Sequence, residues 1–306
     1  MGHPDSLNSS DQLFMGIDGG GSSCRAVLVT ADLDVLATGS AGPANPYHSF
    51  EGTIGSLLAA SQSALETAGL SVETCKEIRV GAGLAGVNLP AVFQKMAAWQ
   101  HPFKAFHLTT DMEIACLGAH AGRDGAVMIA GTGSSGCAVV NGHVSVVGAY
   151  GYPFADTGSG AWIGLQGIRA VLSARDGLGI ETTLTPVLEQ ALGTTGNDIV
   201  ERLMDSGTKD FAEHAKFVFA AAKAGDAVAV EILKEAATYL DGLAQRLMRF
   251  GTDRLSFIGG LSELLTEWLP ESTAARISKP VMSPEMGACM FALRESGVDS
   301  AAARCH

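Results

Sequence analysis

The feature that most constrains the fold is a glycine-rich turn between two short apolar runs, and it occurs twice. In the first copy, the apolar run Leu13–Asp18 leads into Gly19-Gly20-Gly21-Ser22-Ser23, and a second apolar run follows at 24–29. Alternating and β-branched residues after the glycines predict a second strand. A dinucleotide-binding crossover would have a helix there instead. The chain is therefore predicted to begin with a β-hairpin.

The second copy begins with the apolar run 126–130 and turns at Gly131-Thr132-Gly133-Ser134-Ser135-Gly136. Residues 137–140 form the predicted returning strand, and Asn141-Gly142 predicts another tight hairpin. Two copies of one hairpin predict two related α/β lobes that face each other.

The chain of 306 residues is long enough for two domains with separate cores. We expect one lobe to comprise 13–118 plus 285–298 and the other 119–284, with a loose tail at 1–12. Helices and a small-residue loop complete the prediction, the helices at 51–68, 112–121, 226–250 and 284–296 and the loop at 81–86.

Composition excludes several classes of protein. The net charge is −12 and no basic run appears, which argues against a nucleic-acid partner. The six cysteines form no C-x-x-C pair, so neither a zinc site nor a disulfide framework is indicated. With no uninterrupted apolar run of membrane-spanning length and no signal-peptide pattern, we expect a cytoplasmic protein without a membrane partner.

Both glycine turns can bind an anion through backbone N–H groups, because no side chains stand in the way. Gly20, Gly21 and Ser22 in the first turn and Thr132 and Gly133 in the second are the candidate phosphate-binding residues. Asp18, at the end of the first strand, can orient Mg²⁺ or its bound water. Plain glycine-rich turns remain the alternative interpretation.

Asp111 follows a predicted strand and precedes a predicted helix. One interpretation makes it an N-cap, which stabilises a helix by roughly 1 kcal/mol. The other makes it a general base that accepts the proton of an attacking hydroxyl. The two roles are compatible.

Two further loops are candidates for ligand binding. The segment from Tyr150 to Gly160 combines aromatic residues, Asp156 and glycines, which is typical of a sugar-binding wall and equally of a packing loop. Gly259-Gly260-Leu261 can admit an adenine or a ribose close to the backbone, although a tight strand-to-helix turn has the same composition.

The ordered segments "GIDGGGSSCRAVL", "GLAG", "TTDMEIACLGA", "MIAGTGSSG", "DTGSGAWIG" and "IGGLSELL" resemble the N-acetylglucosamine kinase and BadF/BcrA ATPase branch of the actin-like ATPase superfamily. Bacterial glucosamine kinases are especially similar. The resemblance implies an α/β fold of two RNase H-like lobes with an interlobe cleft. It also implies ATP and Mg²⁺ as cofactors, transfer of the γ-phosphate to the 6-hydroxyl of N-acetylglucosamine or glucosamine, and a homodimer.

The same resemblance assigns roles to individual residues. Asp111 would be the base and would also bind the sugar. Ser22 and Thr132 would hold phosphates. The implied sugar contacts are Asn45, Ser134, Ser135, Tyr150, Gly151 and Asp156. The implied nucleoside contacts are Gly225, Gly260 and Leu261.

Two positions depart from the family pattern. Ala149-Tyr150-Gly151 stands where N-acetylglucosamine kinases tend to have G-W-G, and Asp156-Thr157-Gly158-Ser159 stands where they tend to have D-E-G-S. The second departure removes a carboxylate beside Asp156. Free glucosamine is therefore a competing substrate.

Two other functions are compatible with the scaffold. An ATPase that activates a partner enzyme would hold an iron–sulfur cluster with cysteines, and no suitable cysteine motif is visible. A sugar-sensing regulator would need a DNA-binding appendage, and the segment before Leu13 is too short for one.

Overall fold

The computed structural model describes residues 12–298, so the expected loose tail lies outside the described residues except for Gln12. The described chain divides into two compact units. The first comprises 12–125 and 280–298, and the second comprises 126–279. Each unit contains its own five-stranded mixed sheet.

The sheet of the first unit has the strand order β3-β2-β1-β4-β5. The pairs β1–β2 and β2–β3 are antiparallel, whereas β4 and β5 extend the sheet in parallel with β1. The elements up to residue 125 are β1 (Leu13–Gly19), β2 (Cys24–Thr30), β3 (Val35–Ala41), α1 (Phe50–Thr67), a 3₁₀ helix (Val72–Glu77), β4 (Arg79–Leu84), α2 (Pro90–Ala97), β5 (Ala105–Thr110) and α3 (Asp111–Ala119).

The second unit repeats this topology. Its sheet has the order β10-β9-β6-β7-β8, with β7 and β8 antiparallel and β6, β9 and β10 parallel. The elements are β6 (Gly125–Ala130), β7 (Ser134–Val140), β8 (His143–Gly148), α4 (Gly160–Arg175), α5 (Leu184–Leu192), α6 (Asn197–Leu203), α7 (Thr208–Ala212), α8 (Ala215–Lys223), α9 (Ala227–Met248), β9 (Leu255–Ile258), α10 (Ser262–Thr266), α11 (Glu271–Ala274) and β10 (Ile277–Ser278).

The last helix, α12 (Pro284–Glu295), packs on the first unit, against β1, β4 and α3. Its backbone lies so close to the sheet that a Cβ on Gly16 would be 1.9 Å from the carbonyl oxygen of Glu285. A Cβ on Gly81 would be 2.1 Å from the carbonyl oxygen of Ala288. These two strand positions therefore need glycine, and the first unit is assembled from two separate parts of the chain.

Helix α1 shows how the sequence sets the element boundaries. Ser49 is its N-cap, and the side-chain oxygen accepts a hydrogen bond from the N–H of Gly52 at 3.0 Å. The helix ends before Gly69, which has a φ of +71°, as a glycine after a helix C-terminus commonly does. The predicted helix at 51–68 is confirmed.

Two local predictions differ from the structure, and one strand was not predicted. The expected loop at 81–86 is wrong up to Leu84, because this segment continues β4 and pairs with both β1 and β5. The second glycine turn is shorter than expected, since β7 already begins at Ser134. Strand β3 was not predicted, because its alternation of exposed and half-buried residues gives a weak apolar signal.

Within residues 12–298, no helix is long and apolar enough to cross a membrane.

Candidate active site

In the first unit, the candidate residues lie at one edge of the sheet. Strands β1, β4 and β5 are parallel, so their carboxyl ends meet at the same edge, with Asp18, Gly83 and Thr109 in register. Asp111 follows directly after β5. The parallel register therefore brings the predicted metal ligand Asp18 and the predicted base Asp111 to the same edge of one sheet.

Asp18 is an electrostatically unusual carboxylate. Its side chain is 17% exposed, and its Oδ2 lies 3.4 Å from Nη2 of Arg25. Burial raises the pKa of Asp18 from 3.8 to about 6; Arg25 opposes the rise, and the negative charges of Glu285 and Asp111 add to it. The negative charge of Asp18 is thus poorly compensated, which favours a cation beside it.

Sequence reasoning missed Glu285 in the first turn of α12. Its Oε2 is buried and has no hydrogen-bond partner in the part of the chain that the structure describes. An acidic residue directly after Pro284 at a helix start has an ordinary explanation in the helix dipole, so the sequence alone does not mark it. The structure brings its charge close enough to Asp18 to affect the pKa of that residue.

These oxygens fit Mg²⁺ only in part. Between residues 12 and 298 there is no group of three His, Cys, Asp or Glu side chains arranged to hold a metal ion. Mg²⁺ commonly takes one or two protein carboxylates and completes its octahedron with water and substrate phosphates. Asp18, whose pKa is raised in part by the negative charge of Glu285, supplies one carboxylate of that sparse donor set.

The first glycine turn is held by hydrogen bonds to its carbonyl groups. The N–H of Gly20 donates to the carbonyl of Ser23 at 2.9 Å, and the N–H of Ala44 donates to the carbonyl of Gly20 at 2.9 Å. Gly21 and Ser22 are exposed at the tip. A Cβ on Gly21 would meet nothing within 4 Å, so the tip has open space around it.

Asn45 lies at the same edge of the sheet. Its Oδ1 accepts a hydrogen bond from the N–H of Tyr47 at 3.0 Å. The same oxygen is 2.5 Å from where a Cβ on Gly86, just beyond β4, would be. The predicted sugar contact is therefore fixed between the loop after β3 and the loop after β4.

Asp111 is the first residue of α3 and is half-buried. The N-cap is Thr110, whose Oγ1 accepts a hydrogen bond from the N–H of Glu113 at 3.2 Å. The N-cap interpretation of Asp111 is therefore wrong, because capping is performed by its neighbour. Burial raises the pKa of Asp111, and a hydrogen bond at 2.9 Å from the N–H of Met112 to Oδ1 opposes the rise. A raised pKa makes this carboxylate a better proton acceptor.

An ion pair in which only the carboxylate is buried supports the start of α3. Glu113 is 8% exposed and accepts hydrogen bonds from Thr109 Oγ1 and from Arg294 Nη2, the latter at 2.9 Å. Arg294 belongs to α12, so this pair fixes α3 to the last helix two residues after Asp111.

In the second unit, three elements meet at the turn 131–133. The N–H of Gly160, the first residue of α4, donates to the carbonyl of Gly131 at 2.8 Å, and the next N–H, of Ala161, donates to the carbonyl of Thr132 at 3.2 Å. The N–H of Leu261 donates to the carbonyl of Ala130 at 3.1 Å. A Cβ on Gly131 would be 4.0 Å from the N–H nitrogen of Gly260.

This arrangement brings the predicted residues Thr132, Gly133, Gly260 and Leu261 to one edge of the second sheet. The N-terminus of the 16-residue helix α4 is there as well, and its dipole favours an anion. Its first three N–H groups are already used, since those of Gly160 and Ala161 donate to the turn and that of Trp162 donates to the Ser159 hydroxyl. Gly225 lies elsewhere along the chain, at the junction of α8 and α9, with a φ of +88°. Gly225 is therefore placed just before a long helix, and a Cβ on it would meet nothing within 4 Å.

Asp156 is 6% exposed and adopts a φ of +68°, which is unusual for a residue with a side chain. Burial raises its pKa, and hydrogen bonds from the N–H groups of Ser134 and Tyr152 oppose the rise. A Cβ on Gly133 would be 2.7 Å from Oδ2 of Asp156. This carboxylate therefore links the glycine turn to the loop 149–158.

The other predicted sugar contacts are placed differently. Ser134 is 3% exposed, and its hydroxyl donates to the carbonyl of Thr157 at 2.9 Å. Ser135 is half-buried and pairs with Gly148 across β7 and β8. Tyr150 is 81% exposed, and Gly151 beside it has a φ of +79°. Ser134 is thus committed to the protein, whereas Tyr150 is open to a ligand.

Sequence reasoning also missed Tyr239 of α9. Its hydroxyl lies 3.6 Å from where a Cβ on Gly148 would be, and the charge of Asp156 affects its pKa. A tyrosine in an apolar-periodic helix is ordinarily a core residue, so no sequence signal distinguishes it.

Comparison with known proteins gives one family. The sequence model of the BadF/BadG/BcrA/BcrD ATPase family matches residues 15–292. The chain is 35% identical over 279 residues to a glucosamine kinase of Vibrio cholerae, covering 91% of this chain and 95% of that protein. It is 29% identical over 321 residues to an N-acetyl-D-glucosamine kinase of Dictyostelium discoideum, covering 93% and 98% of the two chains.

Solved structures agree on the fold. A crystal structure from Chromobacterium violaceum, described as a candidate N-acetylglucosamine kinase, has a TM-score of 0.84 and 27% identity, with 92% of this chain and 99% of that chain covered. A glucokinase of the ROK family from Streptomyces griseus, solved with glucose and AMPPNP, has a TM-score of 0.50 and 19% identity, with 92% and 99% covered. The two-sheet α/β fold is thus that of known sugar kinases.

Proposed function

We propose, from the premise that the chain belongs to the BadF/BadG/BcrA/BcrD ATPase family, that it transfers the γ-phosphate of ATP to the 6-hydroxyl of glucosamine. The chain is an ATP-dependent amino-sugar kinase, as its similarity to glucosamine and N-acetylglucosamine kinases indicates. The proposal rests mainly on the placement of Asp111. Its carboxylate has a raised pKa and lies at the same edge of the first sheet as Asp18.

In the first unit, Asp111 accepts the proton of the attacking hydroxyl as the bond to phosphorus forms. A carboxylate can do this because its pKa, raised by burial, lies closer to that of the proton donor in the transition state. Asn45 supplies amide hydrogen bonds to the sugar. Gly21 and Ser22 contact phosphate through the exposed tip of their turn. Gly20 shapes that turn, because its N–H donates to the carbonyl of Ser23.

Asp18 would hold Mg²⁺ or a water bound to it, with Glu285 beside it. Mg²⁺ supplies charge neutralisation to the phosphate oxygens during phosphoryl transfer. The poorly compensated charge of Asp18 and the buried, unpartnered oxygen of Glu285 support this assignment.

In the second unit, Thr132 and Gly133 contact phosphate at the N-terminus of α4, and Gly225, Gly260 and Leu261 contact the nucleoside. Ser134, Ser135, Tyr150, Gly151 and Asp156 form the sugar side. Ser134 acts by positioning the loop, because its hydroxyl donates to the carbonyl of Thr157 and is therefore not offered to the sugar.

Glucosamine is preferred over N-acetylglucosamine in this proposal. Thr157 stands where the family pattern has a second carboxylate, and the Vibrio cholerae relative at 35% identity is a glucosamine kinase.

An ATPase that activates a partner enzyme is the second candidate, and the kinase relatives do not favour it. The proposal includes a cytoplasmic location, where ATP is supplied, and a homodimer, which light scattering after gel filtration tests.

A coupled ADP-release assay across a panel of sugars tests the proposal. We expect glucosamine to give the highest kcat/KM, N-acetylglucosamine a lower value, and turnover without sugar to be negligible. Mass spectrometry and NMR of the product should place the phosphate on the 6-oxygen. ADP release that is independent of any sugar would contradict the proposal and favour the activator function.

A further inference from the structure

The hydroxyl of Tyr239 lies close to residues of the second unit that are predicted to contact the sugar. A Cβ on Gly148 would lie 3.6 Å from Oη of Tyr239 and 3.7 Å from the carbonyl oxygen of Ser134. Gly148 is the last residue of β8 and pairs with Ser135. The phenol oxygen is therefore next to the last residue of β8, where the loop containing Asp156 begins.

Asp156 is near enough to this hydroxyl for its charge to act on it. The Asp156 carboxylate accepts a hydrogen bond from the N–H of Ser134. The carbonyl of Ser134 and Oη of Tyr239 both lie within 4 Å of where a Cβ on Gly148 would be. Burial raises the pKa of Tyr239, and the negative charge of Asp156 raises it further. The loop after Asp156 packs on the same helix, since a Cβ on Gly158 would be 3.1 Å from Leu240.

Both groups have unused hydrogen-bonding capacity. In the stretch from 12 to 298, no hydrogen-bond partner of the Tyr239 hydroxyl is found. The Asp156 carboxylate accepts two N–H groups and has about four lone-pair sites. The Tyr239 hydroxyl is not one of the fully buried polar atoms that lack a partner in this part of the chain, so it is accessible to water or to a ligand group.

Packing alone does not require this hydroxyl. The ring of Tyr239 packs against the apolar core formed around α9, and a phenylalanine would fill the same space. The oxygen is the only part of the side chain that the core does not explain. Its location beside a buried carboxylate points to recognition of a polar group.

We infer that Tyr239 is a specificity-determining residue, whose Oη accepts a hydrogen bond from the ammonium group of a free amino sugar while Asp156 accepts another. The inference rests on the proposed function and concerns which acceptor is preferred. An ammonium group has three N–H donors and a positive charge, so it suits a carboxylate paired with a phenol oxygen. Glucose offers only a neutral hydroxyl there, and an N-acetyl group is uncharged and bulkier.

The test compares Tyr239→Phe with Thr238→Val. Thr238 is exposed on the same helix, and its hydroxyl donates to the carbonyl of Lys234, so this control removes a hydroxyl away from the site. We expect Tyr239→Phe to raise the KM for glucosamine about tenfold or more, the scale of a hydrogen bond to a charged group. The KM values for ATP and glucose should stay at the wild-type level, and Thr238→Val should match the wild type throughout.

Calorimetric titration with glucosamine alone supplies a readout that does not depend on turnover, and it should show the same loss of affinity in Tyr239→Phe. Equal losses for glucose and glucosamine, or an unchanged KM and affinity for glucosamine, would overturn the inference. If the wild type phosphorylates glucosamine and Tyr239→Phe has the same selectivity as the wild type, this inference is wrong but the proposed function stands. A wild-type protein that phosphorylates no amino sugar defeats the proposed function and the inference with it.

Discussion

Nη2 of Arg294 donates a hydrogen bond to Oε1 of Glu113 at 2.9 Å and so joins the last helix to the helix that begins at Asp111. The other carboxylate oxygen of Glu113 accepts the hydroxyl of Thr109, at the end of the preceding strand. The carboxyl end of β5, the start of α3 and the C-terminal helix are therefore fixed together. The orientation of the proposed base depends on a residue far away in the sequence.

Breaking this pair should destabilise the protein. Arg294→Met leaves the 8% exposed carboxylate of Glu113 without its cation, and we expect a loss of about 2–3 kcal/mol in the free energy of unfolding. Urea denaturation measures it. Glu295→Gln removes only the exposed partner of Arg294 and should change stability by less than about 0.5 kcal/mol. Equal effects of the two substitutions would contradict the buried role of Glu113.

The charge of Asp18 should cost stability at neutral pH. Its pKa in the folded state is about 6, above 3.8, so the folded state binds the proton more tightly and stability falls as pH rises through 6. In Mg²⁺-free buffer at pH 7.5, Asp18→Asn should therefore be more stable than the wild type by on the order of 1–2 kcal/mol. The difference should shrink toward pH 4, and thermal melts across this range measure it. A variant that is less stable at pH 7.5 would show that the Arg25 contact dominates.

Asp226 has the opposite pH dependence. It caps α9 by accepting the N–H of Ala229 and also accepts hydrogen bonds from Thr182 and Thr183. Burial raises its pKa, but these hydrogen bonds together lower the pKa from 3.8 to about 2. The stabilisation is present above pH 4 and is lost as pH falls through 2.

Asp226→Ala should accordingly cost about 1–2 kcal/mol at pH 7, the scale of a lost N-cap with additional hydrogen bonds. The cost should be smaller near pH 2. Denaturant titrations at several pH values measure the difference, and a cost that is constant with pH would contradict the role of the ionised carboxylate.

The second glycine turn should tolerate a methyl group at one position and not at another. A Cβ on Gly133 would be 2.7 Å from Oδ2 of Asp156, whereas one on Gly131 would have only the nitrogen of Gly260 at 4.0 Å. Gly133→Ala should lower the melting temperature by several degrees, corresponding to roughly 1–3 kcal/mol of overpacking. Gly131→Ala should melt close to the wild type. A reversed order would contradict the placement of Asp156 against the turn.

Much of the fold follows from local sequence signals. The two glycine-hinged hairpins, the strand ending at Thr110 and the long helix after Asp226 are set by turn chemistry, apolar periodicity and caps, and the structure confirms them. The continuation of β4 through Leu84 could not be predicted in this way. Its small residues have low strand propensity, and the paired neighbours β1 and β5 determine their conformation.

The candidate site was predictable only where residues follow strand ends. Asp18 and Asp111 are marked by their position after apolar runs, and Asp156 by its loop. Glu285 and Tyr239 lie on helices whose periodicity gives them ordinary explanations, and only tertiary packing brings them next to Asp18 and Asp156. Thr110 took the capping role expected for Asp111, because a cap is determined by backbone geometry one residue earlier.

Turnover of Asp111→Asn with saturating ATP and glucosamine tests the central claim most directly. The substitution keeps the size of the side chain and removes the proton acceptor, so kcat should fall by about 10²–10⁴-fold. Because Asp111 is also a predicted sugar contact and asparagine keeps a hydrogen-bonding side chain there, the affinity for glucosamine, measured by calorimetry, should fall by about tenfold at most, less than kcat. A variant with wild-type kcat would contradict the assignment of Asp111 as the base.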